Sequence, residues 1–295
     1  QWSLQAPDLA HDVGGIDAVH AWPLSTGAGQ IVGEADTGVD PTVPDLAGQV
    51  VGGQDFIDPA NPLPYDVEGH GTHVAGIIAA IRDNGIGVAG VAPSSKVRVA
   101  RVLDDTGRGT MATIAEGFDY LGDQGARVVN ASLGGYGSDQ TLTDAIASHP
   151  NTLFVVAAGN GGNDGYGDDN DVTPVYPCSI SLDNVLCVGA TDENDDVTSF
   201  SNYGQQSVDL FAPGQDIMST VCGGGYEEWD GTSMATPEVT GTAADVLAID
   251  PTLTTAELKQ VLKESVDPVH PWDTGLSVTD GRINAYKAVT DSSLG

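Results

Sequence analysis

Positive charge is scarce in this 295-residue chain. Ten Lys and Arg stand against 42 Asp and Glu, a formal net charge of −32, and lysine occurs only at Lys96, Lys259, Lys263 and Lys287. Such a surface repels nucleic acid and anionic membranes, so neither is expected as a partner. No apolar run approaches the roughly 20 residues that cross a bilayer. The chain opens QWSLQAPDLA, with no basic start and no apolar h-region, so no signal peptide is read there. A cytosolic protein and the processed remnant of a precursor both fit that opening. Cysteine is scarce: Cys178, Cys187 and Cys222 allow one disulfide at most, and no CxxC or Cys/His group has zinc spacing. Internal repeats and Pro/Ser linkers are missing as well. The glycine-rich stretch 159–171 reads as a loop, because strand signals resume after it.

What remains is enough to fold. Apolar residues make up 40% of the chain, sufficient for one large core or two modest ones, and too many for a disordered chain. The acids are mostly aspartate, 33 Asp to 9 Glu, a bias that fits either a salt-loving protein or ordinary acidic solubilisation of an exported one. Strand-like and helix-like stretches alternate. Strands are expected at 30–35, 96–103, 126–133 and 152–158, then at 184–191, 207–213 and 216–221. Helices are expected at 70–81, 110–122, 139–148, 233–249 and 254–266, the last with Thr254 or Thr255 as cap and Glu257 near its start. Continuous apolar strands separated by helices predict a mostly parallel sheet covered on both faces, in a single domain over 1–295.

Three short sequences sit at the ends of apolar elements: EADTGVD with Asp36, GHGTHVAG with His70 and His73, and DGTSMATP with Ser233. Strand C-termini and helix N-termini are where open α/β sheets gather functional groups. A serine hydroxyl is a weak nucleophile until a neutral imidazole can take its proton. A buried carboxylate on the other ring nitrogen fixes the tautomer and stabilises the imidazolium. The assignment is therefore Ser233 as nucleophile, His70 as base and then acid, and Asp36 as orienter. Taken singly each is weak, since DTG is common after strands, a helix-start serine is often a cap, and either histidine could be a core residue.

Together, DTG, HGTHVAG and GTSMATP in this order resemble the subtilisin-like serine peptidases, the subtilases, over nearly the whole chain. The resemblance implies a three-layer α/β/α fold with a mostly parallel central sheet. It makes His70 rather than His73 the base. It assigns Asn160, in AAGNGG, as side-chain donor to the oxyanion, with the Ser233 backbone N–H as second donor. It places extended polypeptide substrates between Gly107-Arg108-Gly109 and Ser132-Leu133-Gly134, held by strand addition. The stretch 78–93 resembles the family's calcium loop within a helix. Asp45 would be the distant carboxylate ligand, Asn84 or Asp83 the side-chain oxygen, and Ile81, Ile86 and Val88 the carbonyls. No counterpart of the family's extra ligand near the N-terminus is recognised. The resemblance also implies a secreted, extracellular monomer, made with an N-terminal propeptide and with Gln1 near the maturation cut.

Two departures stand out. Glu238 replaces the histidine usual in the family's SPHVAG form. Val175 falls where many members have glycine at the floor of the primary specificity pocket. A bulkier floor favours short P1 side chains, while the acids Asp164, Asp168, Asp169 and Asp171 could admit a basic one. Cys178 and Cys187 are expected to be joined, because SISLDNVL can turn back between Tyr176-Pro177 and the strand at 184–191. Three thiols in a reducing compartment is the alternative. Two other functions share the fold: a peptide ligase or cyclase, and a non-catalytic protein-binding relative. A lipase does not fit, since GTSMA is not the G-x-S-x-G elbow.

Overall fold

The computed structural model describes residues 1–8, 13–61, 63–162 and 164–291. Its centre is a nine-stranded sheet. In chain order the strands are β1 (Ile31–Asp36), β2 (Val50–Asp55), β3 (Lys96–Arg101), β4 (Val128–Ala131), β5 (Leu153–Ala157), β6 (Val185–Thr191) and β7 (Leu210–Pro213). After these come β8 (Ile217–Val221), β9 (Gly225–Trp229), β10 (Val266–Pro268) and β11 (Gly281–Ile283). The sheet order is β10-β11-β7-β6-β5-β4-β1-β3-β2, and only the β10–β11 pair is antiparallel. Strands β4 to β7 are buried along their whole length, which is why they read as unbroken apolar runs rather than as alternation.

The helices are α1 (Ala18–Ala21), α2 (His70–Ala79), α3 (Met111–Asp123), α4 (Gln140–Ser148), α5 (Thr232–Ile249), α6 (Thr255–Glu264) and α7 (Ala285–Asp291). Side-chain caps begin three of them. Thr110 accepts from Thr113 N, Asp139 accepts from Thr141 N, and Thr254 forms a reciprocal capping box with Glu257. Helices α3 and α4 cover one face of the sheet around Phe118, Leu121, Leu142 and Phe154. Helices α2, α5, α6 and α7 cover the other. The three-layer α/β/α arrangement expected from the sequence is the one found.

Helix α5 is buried on all sides from Thr232 to Leu247, Ser233 excepted, which small residues permit because they let it lie close to both α2 and the sheet. Glu238 lies inside it with almost no exposed surface. Burial pushes its carboxyl up to about 8, although Ser3 and the amino group of Gln1 favour the charged form.

The strand at 216–221 is not part of the central sheet. It pairs antiparallel with β9 as a separate hairpin. That hairpin covers α2 through Ser219 Oγ to His73 O (2.7 Å) and Thr220 Oγ1 to Thr72 O (2.8 Å). Among the described residues no helix is long and apolar enough to cross a membrane.

Cys178 forms a disulfide with Cys187 of β6, with Cα atoms 5.0 Å apart. Cys222 is free and half-buried, and burial followed by the nearby Asp66 and Asp40 pushes its thiol up to about 11. Unreduced, unfolded protein should therefore take up one alkyl group per chain. Folded protein at pH 8 should alkylate far more slowly than a free thiol. Replacing both bridged cysteines by serine should cost roughly 2–3 kcal/mol, read by denaturant unfolding.

Candidate active site

The ends of β1 and β4 and the starts of α2 and α5 meet on one side of the sheet. Asp36 is the last residue of β1 and His70 the first of α2. Their contact is a 2.7 Å hydrogen bond between His70 Nδ1 and Asp36 Oδ1, and Thr37 N donates to the same oxygen at 2.7 Å. Burial alone would depress the His70 imidazole. The Asp36 charge and hydrogen bond, with Glu68 and Asp66 behind them, outweigh burial and hold it above its usual value.

Asp66 organises this helix start. Its carboxylate accepts from Gly69 N (2.8 Å), Thr72 N (2.9 Å), Thr72 Oγ1 (2.6 Å) and Thr37 Oγ1 (2.9 Å). An acid at a helix N-terminus satisfies donors that have no partner within the helix. His73, one turn on, is fully buried and stacked on Trp229 with ring centroids 4.5 Å apart. Burial drives its pKa down to about 4, so it is neutral. His70 faces the cleft and His73 the core.

Ser233 is the second residue of α5. Pro237 stands four residues later and has no N–H for the Ser233 carbonyl. Ser132 Oγ donates to that carbonyl instead, at 2.8 Å, and Ser233 Oγ returns a 3.3 Å bond to Ser132 O. The end of β4 and the start of α5 are thus tied twice.

Asn160 follows β5. Its Oδ1 accepts from both Thr232 N and Thr232 Oγ1 at 2.8 Å. With the oxygen so engaged, the amide nitrogen turns toward Gly231 and Ser233 N. A Cβ added at Gly231 would lie 3.3 Å from Asn160 Nδ2 and 3.6 Å from Ser233 N. Gly231 also has φ +152, which side chains rarely adopt.

A cleft of about 590 Å³ runs past these groups. Gly107, Arg108 and Gly109 line one side and Ser132, Leu133 and Gly134 the other, with His70 and Ser233 also in the lining. Neither segment is paired into the central sheet at these positions; Asp104 takes up Gly107 N, Arg108 N and Arg108 O within the first, and Ser233 Oγ bonds Ser132 O in the second. A smaller cavity of about 240 Å³ opens beside Ser233 and Asn160. Val175 lines it, buried, with its Cγ1 3.1 Å from a Cβ built on Gly134 and 3.6 Å from one built on Gly159. It therefore stands between Gly134 and Gly159. In the 159–171 loop, Asp168 accepts from Tyr136 Oη at 2.7 Å, and Asn163 lies outside the described residues.

The segment after α2 wraps over Asp45. Asp45 is fully buried, and its carboxylate accepts from Asn84 Nδ2 (2.6 Å) and Val88 N (2.8 Å), while its carbonyl accepts from Ile81 N (2.9 Å). Tyr226, from β9, also hydrogen-bonds this carboxylate. Of the two candidate side chains, Asn84 reaches Asp45. Asp83 is exposed and paired with Arg82 Nε at 2.8 Å. Ile86 is exposed, with its N–H on Asn84 Oδ1 at 3.0 Å. Gln1, which sequence reasoning passed over, exchanges two bonds with Ala89 at the loop's end (2.9 and 2.8 Å).

Sheet order, helix placement and the meeting of Asp36, His70, Ser233 and Asn160 define an α/β peptidase architecture. The chain belongs to the Subtilase family, which it matches over residues 27–289. It is 41% identical over 276 residues to thermitase of Thermoactinomyces vulgaris, covering 93% of each chain. It is 42% identical over 274 residues to a thermophilic serine proteinase of Bacillus sp. strain AK1, covering 92% of this chain but 64% of that one. Among solved structures, a protease of Pseudoalteromonas arctica PAMC 21717 superposes with a TM-score of 0.88 at 30% identity, covering 99% and 97% of the two chains.

Sequence reasoning missed Asp66, Thr232, Gly231 and Tyr226. Asp66 carried a signal, an acid four residues before a helix start. Thr232 and Gly231 lay inside a recognised motif and lacked only their partner across the fold. Gly231→Ala should crowd the Asn160 amide nitrogen and strain the backbone beside Ser233. Peptide hydrolysis is expected to fall about 10- to 100-fold in kcat with little change in KM, read by steady-state kinetics on a peptide substrate.

Proposed function

We propose that this chain is a secreted serine endopeptidase acting on extended polypeptides through Asp36, His70 and Ser233. The observation that carries this reading is the Asp36–His70 hydrogen bond at the edge of a cleft that Ser233 also lines. Asp36 holds the Nδ1 proton of His70 and leaves Nε2 to accept. Ser233 Oγ rotates from the Ser132 carbonyl toward Nε2, gives up its proton and attacks the peptide carbonyl. Asn160 Nδ2 and Ser233 N receive the developing oxyanion, a role that Thr232 supports by fixing the amide's orientation. His70 protonates the leaving amine, and water then hydrolyses the acyl-enzyme by the reverse use of the same groups.

Substrate backbone lies between 107–109 and 132–134. The buried Val175 shortens the pocket beside Ser233, so small P1 side chains are favoured over long ones. Residues 1–295 act as one catalytic unit and as a monomer, outside the cell, after loss of an N-terminal propeptide. A high aspartate content on an acidic exterior suits a salt-rich setting, where ions screen self-repulsion.

Calcium fits the Asp45 loop. Asp45 is fully buried, its hydrogen-bond donors among the described residues are neutral, and the loop offers hard oxygen ligands. A Cβ on Gly87 would lie 2.0 Å from Asp45 Oδ2, so the loop closes tightly over the carboxylate. Asp45, Asn84 and the carbonyls of Ile81, Ile86 and Val88 would hold the ion, and Gln1 stands beside them. Calcium would supply stability there and no chemistry at Ser233.

Ser233→Ala should lower kcat by several orders of magnitude, leave the fold intact and abolish labelling by a fluorophosphonate. His70→Ala should do the same to turnover, while His73→Ala should act through stability. The reverse pattern for the two histidines would overturn the assignment of the base.

Metal and salt should separate. A chelator at moderate salt should lower Tm and speed autolysis, and Asp45→Ala should abolish most of that response. Molar salt, with a Debye length of about 3 Å, should raise Tm even with chelator present and in Asp45→Ala. No effect of chelator, with no calcium in the purified protein, would remove the metal from this loop. No effect of molar salt would leave the acidic surface as a solubility feature.

A further inference from the structure

Glu34 lies on β1 two residues before Asp36, so the two side chains share a face of the strand. It has no exposed surface, and neither of its carboxyl oxygens has a hydrogen-bond partner among the described residues. An ionised carboxylate there would lack both donor and counter-charge. Burial first, then the charges of Asp36 and Asp66, push its pKa well above the usual carboxylate range, and the group holds its proton.

Asp36 presents the complementary gap. Its Oδ1 takes both the His70 and the Thr37 N–H, while Oδ2 is buried and has no partner among the described residues. The Thr37 hydroxyl could have served Oδ2 but is committed to Asp66. A Cβ built on Gly71, in the first turn of α2, would lie 3.1 Å from Glu34 Oε1 and 3.1 Å from Asp36 Cβ, so one small space borders both residues. A proton donor without an acceptor thus stands on the same face as an acceptor without a donor.

We propose that Glu34 is a positioning residue whose carboxylic acid, by a turn of its side chain, donates its proton to the unpartnered Oδ2 of Asp36, holding the carboxylate that orients His70. This rests on the roles given above to Asp36 and His70. The other titratable groups around the pair are few. Asp66 lies before α2 and His70 on it. The flanking β3 brings Val99 opposite Glu34, and its Arg101 is held by Asp55 and Asp105. The flanking β4 brings neutral Asn130, itself bonded to Thr240 of α5. A neutral donor on Oδ2 spreads the Asp36 charge and fixes its plane. Without it, Asp36 attracts the His70 proton more strongly and is free to turn.

Two variants and a spectrum test this. The parent protein at neutral pH should show the infrared carbonyl band of an un-ionised carboxylic acid, and E34Q should reduce it. E34Q keeps a neutral donor, so kcat/KM should stay within about twofold of the parent, with the same acid limb. E34L removes the donor while keeping the volume. It should lower kcat about tenfold with KM unchanged, and move the acid limb of kcat/KM to higher pH, the direction a raised His70 pKa requires. A merely space-filling Glu34 would leave the acid limb of E34L where it was, and that result would overturn the proposal. So would an E34Q enzyme as impaired as E34L, or no change in the carboxylic acid band between parent and E34Q. Should E34L fail to fold, the band and the E34Q kinetics still decide. The band does not depend on turnover, so a failure here is distinct from a failure of the Ser233 assignment.

Discussion

A proline inside a helix ties this site together. Pro237 leaves the Ser233 carbonyl without its helical donor, and Ser132, beyond the end of β4, supplies one. The return bond from the Ser233 hydroxyl makes the junction reciprocal. One side of the cleft and the start of the central helix are thereby one unit. Thr232 extends it to Asn160, and Asn130 extends it to the interior through the Ser132 and Thr240 hydroxyls. Small hydroxyl residues crowd α5 because each bonds backbone or a neighbour where a larger side chain would not fit.

Much of this was legible in the sequence. The apolar strands β4 to β6 and the helices α2 to α6 were read because their burial is uniform or periodic. The three motifs were read because each combines a chemical group with a strand end or helix start. β2 escaped because VVGGQD carries two glycines, which weaken a strand signal although the edge position tolerates them. β9 escaped because GYEEW is half exposed. Asp66 and Thr232 escaped for a different reason. Thr232 bonds Asn160 72 residues away, and Asp66, besides its local bonds to Gly69 and Thr72, ties Thr37 29 residues away; no local pattern encodes such distances.

The scarce cations are placed where the fold needs them. Arg282 is fully buried and pairs with Asp195 and Asp267, the latter also bound by Lys287. Lys259 and Lys263 both hold Asp209, and Arg101 holds Asp55 and Asp105. A chain so poor in bases leaves its exterior acidic partly because several of those bases face inward.

The buried acids have a consequence for proton balance. Glu34, Glu238 and Asp245 all carry pKa values raised first of all by burial. Each holds its proton to higher pH in the folded chain than in the open one, Glu238 to about 8. Unfolding at pH 7 therefore releases protons, and its heat depends on the buffer that takes them up. Because the open chain binds fewer protons, stability declines as pH climbs from the ordinary carboxylate range, for Glu238 until about 8. Part of what this fold loses as pH rises is thus set in its interior, by side chains that meet solvent only when the fold gives way.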